Sequence, residues 1–212
     1  MEERETIILF GGAFDPPHSG HLDVIVEGFR RISDKIYNPK EMWIMPCLSG
    51  DFGRQPLHMA AFHHRVSMLR DLTANLNGNS VKITLHELDM PVGAGAYAVV
   101  RSLINKHPNK NFIYLMGYYQ AAKIRQWRNS RDLIKTIPFV VVNRACDHYI
   151  PYIQWVNRAP HHNFKDSIHP TTVSSTKIRN DIRLYGTLTN PRYREQLTNG
   201  IIKYIEEHKL YR

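Results

Sequence analysis

The sequence lacks most features that mark secreted, membrane-spanning or metal-scaffolded proteins. It has only two cysteines, Cys47 and Cys146, and neither belongs to a Cys-x-x-Cys pair or has a histidine at metal-ligand spacing, which argues against a disulfide scaffold and a zinc site. Residues Met1–Glu5 lack the basic and then apolar pattern of a signal peptide. The longest apolar run, Ile137–Val142, is too short to span a bilayer. The sequence therefore predicts a soluble, cytoplasmic protein without a membrane partner.

The chain also lacks internal repeats and low-complexity tracts, and acidic residues are fewer than basic ones. There are 28 Lys and Arg against 19 Asp and Glu, a formal net charge of +9 that is typical of chains handling anions, from a nucleotide to a nucleic acid. A chain of 212 residues can bury one sizeable core. We expect a single domain over residues 1–212, in which residues 174–212 form a C-terminal helical segment.

Short apolar runs alternate with helical patterns along the chain. Five runs are typical of buried strands: Thr6–Phe10, Glu41–Met45, Val81–Leu85, Phe112–Met116 and Phe139–Val142. Amphipathic patterns over Leu57–Leu76 and Tyr97–Ile104 lie between them. The alternation predicts an α/β fold with a Rossmann-like parallel sheet, helices on both faces and a small C-terminal helical part. Ligands of such open sheets bind outside the carboxyl ends of the strands.

A glycine-rich loop joins the first predicted strand to the first predicted helix. Its backbone amides can approach an anion closely, because glycine leaves room and a helix begins there; the residues concerned are Gly11, Gly12, Ala13 and Phe14. His18 and His21 lie three residues apart, so their rings face the same side at the start of the helix. This pattern predicts a phosphate site. Simple capping is less favoured, as is a metal site, for which no third ligand is indicated.

A second candidate anion site lies near the other end of the sequence, where three hydroxyl residues open a helical pattern. Ser174 is a natural N-cap, and capping alone accounts for that residue. In the alternative interpretation, free amides and the hydroxyls of Ser175 and Thr176 combine with Lys177 and Arg179 to hold a polyphosphate chain. Together the two sites would grip both ends of a triphosphate.

These two stretches resemble the paired signatures of a known family. Residues 12–21 have the pattern Gly-x-Phe-Asp-Pro-x-His-x-Gly-His, and residues 174–179 have the pattern Ser-Ser-Thr-x-Ile-Arg. Both are similar to signatures of the nucleotidyltransferase superfamily with the HxGH motif. Within it the chain most resembles the nicotinate or nicotinamide mononucleotide adenylyltransferases. The resemblance extends from Ile7 to about Arg183 and includes Phe112–Gly117 followed by Trp127.

The resemblance implies transfer of AMP from ATP to the phosphate of a pyridine mononucleotide, with release of pyrophosphate, in NAD biosynthesis. By that implication His18 and His21 contact the ATP phosphates, with His21 closest to the transferring one, and Mg²⁺ accompanies the ATP. The resemblance also implies that Ser175, Thr176 and Arg179 bind the phosphates that leave. Ser174 and Gly117 would belong to the nucleotide site as well. Tyr97, Trp127 and Arg144 would bind the acceptor.

Three departures from the family pattern concern the substrates. Gly117-Tyr118-Tyr119 replaces the usual Gly-Ala-Asp, so an acidic contact at Tyr119 is missing or supplied elsewhere. Ala96-Tyr97-Ala98 replaces Ser-Tyr-Thr, which removes two hydroxyls beside the acceptor site. The candidate lid, Cys47–Pro56, lacks the usual Pro-Pro-His-Lys and offers Arg54 as a weak substitute for the lysine. Nicotinate and nicotinamide therefore both stay open as acceptors.

Other interpretations stay open beside this one. The same machinery could act on another phosphorylated acceptor such as phosphopantetheine, or transfer a cytidylyl group. An inactive relative that binds nucleotides or nucleic acid is a third alternative, although the basic residues between Lys123 and Arg131 are more typical of a solvated face. Trp127 could pack in the core instead of stacking on a ligand. A homo-oligomer is also open, as is the structure of residues 143–172.

Several other histidines invite a metal site. They are His58, His63, His64, His161 and His162. No glutamate or cysteine completes a recognised spacing around them, so we expect solvated helix and loop residues instead.

Overall fold

A computed structural model describes residues 4–35, 38–48, 59–76, 80–85, 89–90, 93–144, 153–168, 173–188 and 191–212. In this part of the chain six strands form one sheet, and every pairing between neighbours is parallel. The strands are β1 (Glu5–Gly12), β2 (Pro39–Pro46), β3 (Val81–Ile83), β4 (Lys110–Gly117), β5 (Phe139–Arg144) and β6 (His162–Ile168). Their order across the sheet is β3-β2-β1-β4-β5-β6.

The α-helices of the described residues connect these strands and complete the domain. They are α1 (Ser19–Lys35), α2 (Phe62–Thr73), α3 (Gly95–Lys106), α4 (Tyr118–Lys123), α5 (Ser130–Thr136), α6 (Ser175–Tyr185), α7 (Tyr193–Gln196) and α8 (Asn199–Glu207). Among the described helices, none combines the length and the apolar character needed to cross a bilayer.

The strand order reverses direction between β1 and β4. The chain proceeds outward from β1 to β3 on one side of the sheet and from β4 to β6 on the other. Loops that leave the carboxyl ends of β1 and β4 therefore diverge and leave a crevice between them, the usual ligand position in such sheets. The loop that follows Gly12 and the turn at Gly117 both lie at this crevice.

The sheet is buried on both faces by separate apolar clusters. Along β1, Ile8 and Phe10 contribute to the cluster that includes residues of α1, α2, α6 and α8. Ile7 and Leu9 contribute to the opposite cluster, which includes residues of α3, α4 and α5. Because successive side chains of a strand point to opposite faces, a strand covered on both faces must be apolar throughout.

Helix α1 lies very close to the sheet near its middle. A Cβ atom at Gly28 would stand 2.6 Å from Cδ1 of Leu115 on β4, well inside contact distance. The absence of a side chain at Gly28 thus sets how near α1 approaches the sheet. Gly28 therefore also sets the distance from the sheet of the helix whose first turn carries His21.

The structure confirms the predicted Rossmann-like parallel sheet, all five predicted strands and the helical patterns between them. It adds β6 inside the region 143–172, for which the sequence indicated no period, and the short helices α4 and α5. Gly50–Pro56 of the candidate lid, including Arg54, lies outside the described residues.

Candidate active site

The end of β1 and the loop that follows it are shaped by the close packing around Gly11 and Gly12. A Cβ atom at Gly11 would collide with the Tyr114 hydroxyl from β4. The carbonyl of Gly12 accepts a hydrogen bond of 2.8 Å from the N–H of Cys47, at the end of β2. Phe14 has a φ of 51°, and its ring is buried. Only the backbone of Phe14 can therefore face a ligand, because its ring packs in the core under the loop.

His18 and His21 stand side by side, as their spacing predicts. Their ring centroids lie 3.8 Å apart, and the ring of His21 packs edge-on against Phe14 at 5.1 Å. The backbone N–H of His18 donates to Nδ1 of His21 over 3.2 Å. Since Nδ1 accepts a hydrogen bond, Nε2 of His21 carries the ring proton.

The electrostatic state of His21 follows from its burial. Burial lowers the pKa of His21 to about 4, because the charged form would lose its hydration. The ring is therefore neutral at neutral pH. It offers a fixed Nε2–H donor to an anion, and it keeps that form down to acidic pH.

The second motif lies directly against this loop. The Ser175 hydroxyl donates to the carbonyl of Pro16 over 2.8 Å, and Nη1 of Arg179 donates to the carbonyl of Asp15 over 2.6 Å. Ser174 caps α6 by accepting from the N–H of Lys177 over 3.2 Å. The structure thus brings residues 159 and 164 positions apart in the sequence together in one site, with the start of α6 against the loop that carries His18.

The described contacts of Arg179 hold the loop rather than extend into the crevice. Besides the Asp15 carbonyl, its Nη1 lies 3.6 Å from the Asp15 carboxylate, and its Nη2 reaches the Thr176 hydroxyl at 3.4 Å. Arg179 therefore links the loop to α6. Its contact with leaving phosphates, and that of Thr176 and Ser175, stay predictions.

Sequence reasoning missed the role of Asp15 within the first motif. The residue is only 3% exposed, and its Oδ1 accepts hydrogen bonds from the N–H of Ala60 at 3.0 Å and the Tyr211 hydroxyl at 2.8 Å. Burial raises the pKa of Asp15, while these hydrogen bonds and the charges of Arg179 and Arg65 oppose that rise. Asp15 joins four segments of the chain at the base of the site.

Arg65 on α2 is the second residue that the sequence did not single out. Its side chain is fully buried, and its guanidinium donates to the carbonyls of Ala13 at 2.6 Å, Ala60 at 3.0 Å and Leu48 at 3.2 Å. One planar group thus connects three segments: the loop between β1 and α1, residues 13–18, called the phosphate loop below; the segment after β2; and the start of α2. Such a fork of donors matches several carbonyls at once, which a single ammonium cannot do.

Two of the predicted acceptor residues, Tyr97 and Trp127, lie against the apolar cluster on the α3, α4 and α5 side of the sheet. Trp127 is half-buried, and its ring packs edge-on against Tyr114 at 6.1 Å. Tyr97 is half-buried at the start of α3. A Cβ atom at Gly95 would lie 3.6 Å from Cβ of Arg128, which brings that helix start next to Trp127. Trp127 therefore packs on the core and still exposes part of its ring.

Two further predicted residues mark the carboxyl ends of β4 and β5. Gly117 ends β4, and a Cβ atom there would meet nothing within 4 Å. Arg144 ends β5. At the position of the missing acidic contact, the half-exposed Tyr119 has Lys123 over its ring, 4.1 Å from the centroid.

The expectation that the remaining histidines are solvated was wrong for two of them. His64 is half-buried and shares a hydrogen bond of 3.0 Å between its Nδ1 and the Tyr204 hydroxyl. Nδ1 of His161 accepts from the N–H of Phe139 over 3.2 Å. Both rings pack between elements, where burial and neighbouring histidines lower their pKa. His58 lies outside the described residues.

Metal-ligating side chains are not grouped in the described residues: no set of three or more His, Cys, Asp or Glu there could hold an ion. Within the site, the Asp15 carboxylate already accepts two hydrogen bonds and faces Arg179. This donor set does not form a resident magnesium site.

Comparisons with known proteins agree with this geometry. A family model described as cytidylyltransferase-like matches residues 9–181. A protein of Listeria monocytogenes named "Probable nicotinate-nucleotide adenylyltransferase" is 30% identical over 210 residues, 98% of each chain. One of the same name from Methylacidiphilum infernorum is 25% identical over 206 residues, 97% of this chain and 91% of that one.

Solved structures show the same fold. The structure of Plasmodium falciparum nicotinic acid mononucleotide adenylyltransferase complexed with NaAD has a TM-score of 0.73 and 20% identity, covering 98% of this chain and 97% of that one. The same enzyme complexed with APC has a TM-score of 0.72.

Proposed function

The chain belongs to the cytidylyltransferase-like family and, within it, to the nicotinate-nucleotide adenylyltransferases, and from that premise we propose that it transfers AMP from ATP to the phosphate of nicotinate mononucleotide. The products are nicotinate adenine dinucleotide and pyrophosphate, which makes the reaction a step of NAD biosynthesis. The observation that carries the proposal is the contact between the two motifs, in which Ser175 and Arg179 bond the backbone of Pro16 and Asp15.

The reaction needs alignment and charge neutralisation more than a protein nucleophile. An oxygen of the acceptor's phosphate attacks the α-phosphorus of ATP. The bond from that phosphorus to the bridging oxygen breaks, and pyrophosphate leaves with the electron pair. The neutral Nε2–H of His21 donates to the phosphate being transferred, where charge develops. Free amides at the start of α6 receive the leaving phosphates.

The nucleotide enters with its own cation. We infer that the substrate is the Mg²⁺ complex of ATP, because Mg²⁺ binds mainly through phosphate oxygens and needs few ligands from the protein. The ion would neutralise phosphate charge during transfer. Both substrates are charged and do not cross membranes unaided, so we assign the reaction to the cytoplasm.

Product analysis tests this function directly. The protein is incubated with ATP and Mg²⁺ and with either nicotinate or nicotinamide mononucleotide, and pyrophosphate and dinucleotide are quantified. We expect nicotinate mononucleotide to give both products in equal amounts. Parallel reactions with phosphopantetheine as acceptor, or with CTP as donor, test the alternative transferases. Absence of dinucleotide with both pyridine mononucleotides would reject the proposed acceptor class.

Replacing Trp127 tests the acceptor site. We expect Trp127→Ala to raise KM for the pyridine mononucleotide roughly 10-fold while KM for ATP changes little, because stacking of a ring on an aromatic side chain is worth about 1–3 kcal/mol. Trp155→Ala is the matched control, since Trp155 is also half-buried against the same apolar cluster. If Trp127→Ala raised KM for the pyridine mononucleotide and KM for ATP equally, Trp127 would have a role only in the core.

A further inference from the structure

Residues 208–212, which follow α8, bring Tyr211 back to the phosphate loop. Thr198 caps α8 by accepting from the N–H of Ile201, and Ile201 and Ile205 bury its apolar face. After the helix, the N–H of Leu210 bonds the carbonyl of Ile205 at 3.0 Å, and Tyr211 takes a left-handed φ of 66°. This turn reverses the chain and directs the Tyr211 side chain inward.

The Tyr211 hydroxyl ends on the most buried carboxylate of the site. It donates to Oδ1 of Asp15 over 2.8 Å, and Tyr211 and Asp15 are only 7% and 3% exposed. Burial and the adjacent carboxylate raise the pKa of Tyr211 far above its ordinary range. The hydroxyl therefore keeps its proton at every working pH and is a permanent donor to Asp15.

Asp15 in turn sets the position of the backbone that carries the histidines. Its own carbonyl accepts from Arg179, the next carbonyl accepts from Ser175, and His18 follows three residues later. The Asp15 side chain, held by the Ala60 N–H and the Tyr211 hydroxyl, anchors the same stretch of backbone from within the core. Small displacements of such groups reduce rates strongly, because catalysis by alignment depends on sub-ångström geometry.

We propose that Tyr211 is a positioning residue of the active site, which acts through Asp15 to hold the phosphate loop and its histidines in register with the start of α6. The proposal rests on the proposed function for its kinetic test. It adds a residue from the far end of the sequence, outside both motifs, to the catalytic arrangement.

The test compares Tyr211→Phe with Tyr193→Phe. Tyr193 is a matched control, because it is also buried, donates its hydroxyl to a carboxylate, that of Asp181 on α6, and belongs to the same apolar cluster. We expect Tyr211→Phe to lower kcat roughly 10-fold and Tyr193→Phe to leave kcat nearly unchanged. Thermal denaturation of both variants checks that the two lose similar stability.

The pH profile separates positioning from a merely structural role. The groups that face Asp15 are Tyr211, Arg179 from α6 and Arg65 from α2, and each of them lowers the pKa of Asp15. Removing the Tyr211 hydroxyl should raise that pKa, so the acid limb of kcat/KM should move to higher pH in Tyr211→Phe only. The titration of His21, with a pKa of about 4, is common to the pH profiles of both variants and does not produce a difference between them.

The outcomes distinguish this proposal from the proposed function. Equal kcat and equal acid limbs in Tyr211→Phe, Tyr193→Phe and the unmodified protein would overturn the positioning role. If the unmodified protein forms no dinucleotide, the proposed function fails, and calorimetric titration with Mg²⁺ and ATP then decides the positioning role. In that case weaker ATP binding by Tyr211→Phe than by Tyr193→Phe supports it, and equal binding overturns it.

Discussion

Replacing His21 by alanine is expected to lower turnover by roughly 10²- to 10³-fold, the cost of losing one preorganised donor to a developing charge. The Nδ1 atom of His21 accepts from the His18 N–H, and burial lowers the pKa of His21 to about 4, so the neutral ring of the ligand-free protein presents one fixed Nε2–H. Because that donor is aimed at charge that appears during transfer, the loss should fall on kcat and less on KM for ATP.

Steady-state kinetics with both substrates varied measure this effect. His63→Ala is the control, since its exposed ring on α2 belongs to no described contact with the loop. His21→Gln, which keeps an N–H donor of similar reach, should recover part of the lost turnover. The unmodified enzyme should show no inflection near pH 6.5 from His21, whose neutral form persists to about pH 4. Unchanged turnover in His21→Ala would remove the ring from the mechanism.

Replacing Arg65 by methionine is expected to lower the free energy of unfolding by about 3–5 kcal/mol. The change leaves the carbonyls of Ala13, Leu48 and Ala60 without their guanidinium partner in a buried position. It also removes one of the two positive charges that compensate the buried Asp15. A loss of this size is a large part of the stability of an ordinary domain.

Chemical denaturation followed by tryptophan fluorescence measures the loss. Arg70→Met is the control, because Arg70 lies exposed on the same helix, where substitutions change stability by about 0.5 kcal/mol or less. Arg65→Lys should lose an intermediate amount, since an ammonium keeps the charge without the planar fork. A loss in Arg65→Met no greater than that in Arg70→Met would show that the three carbonyls do not depend on this side chain.

The central strands of the sheet could be predicted from sequence because apolar clusters cover both of their faces. Strands such as β5, with Val140, Val141 and Val142 in succession, can be identified because each face meets an apolar cluster. Strand β6 could not, since its sequence His162–Ile168 is mostly polar and lies at the edge of the sheet. These polar residues leave no apolar run, whereas the other edge strand, β3, keeps Val81 and Ile83 and was predicted. Pairing with β5 places β6 in the sheet instead.

In the candidate site, the sequence predicted the features formed by neighbouring residues and missed the contacts between distant segments. The spacing of His18 and His21 and the hydroxyls before α6 are local, and the sequence identified them. The hydrogen bond from Tyr211 to Asp15 joins residues 196 positions apart, so no spacing rule predicts it. Arg65 has a partial signal, since it lies on the same helical face as buried residues, but its carbonyl partners come from three segments.

The contact between Gly28 and Leu115 has a consequence for how the sequence can change over time. The isobutyl group of Leu115 occupies the volume that a side chain at position 28 would need. A methyl group gained at position 28 must be matched by volume lost at position 115, or α1 must lift and carry the histidines with it. The two positions should therefore covary in size among distant relatives.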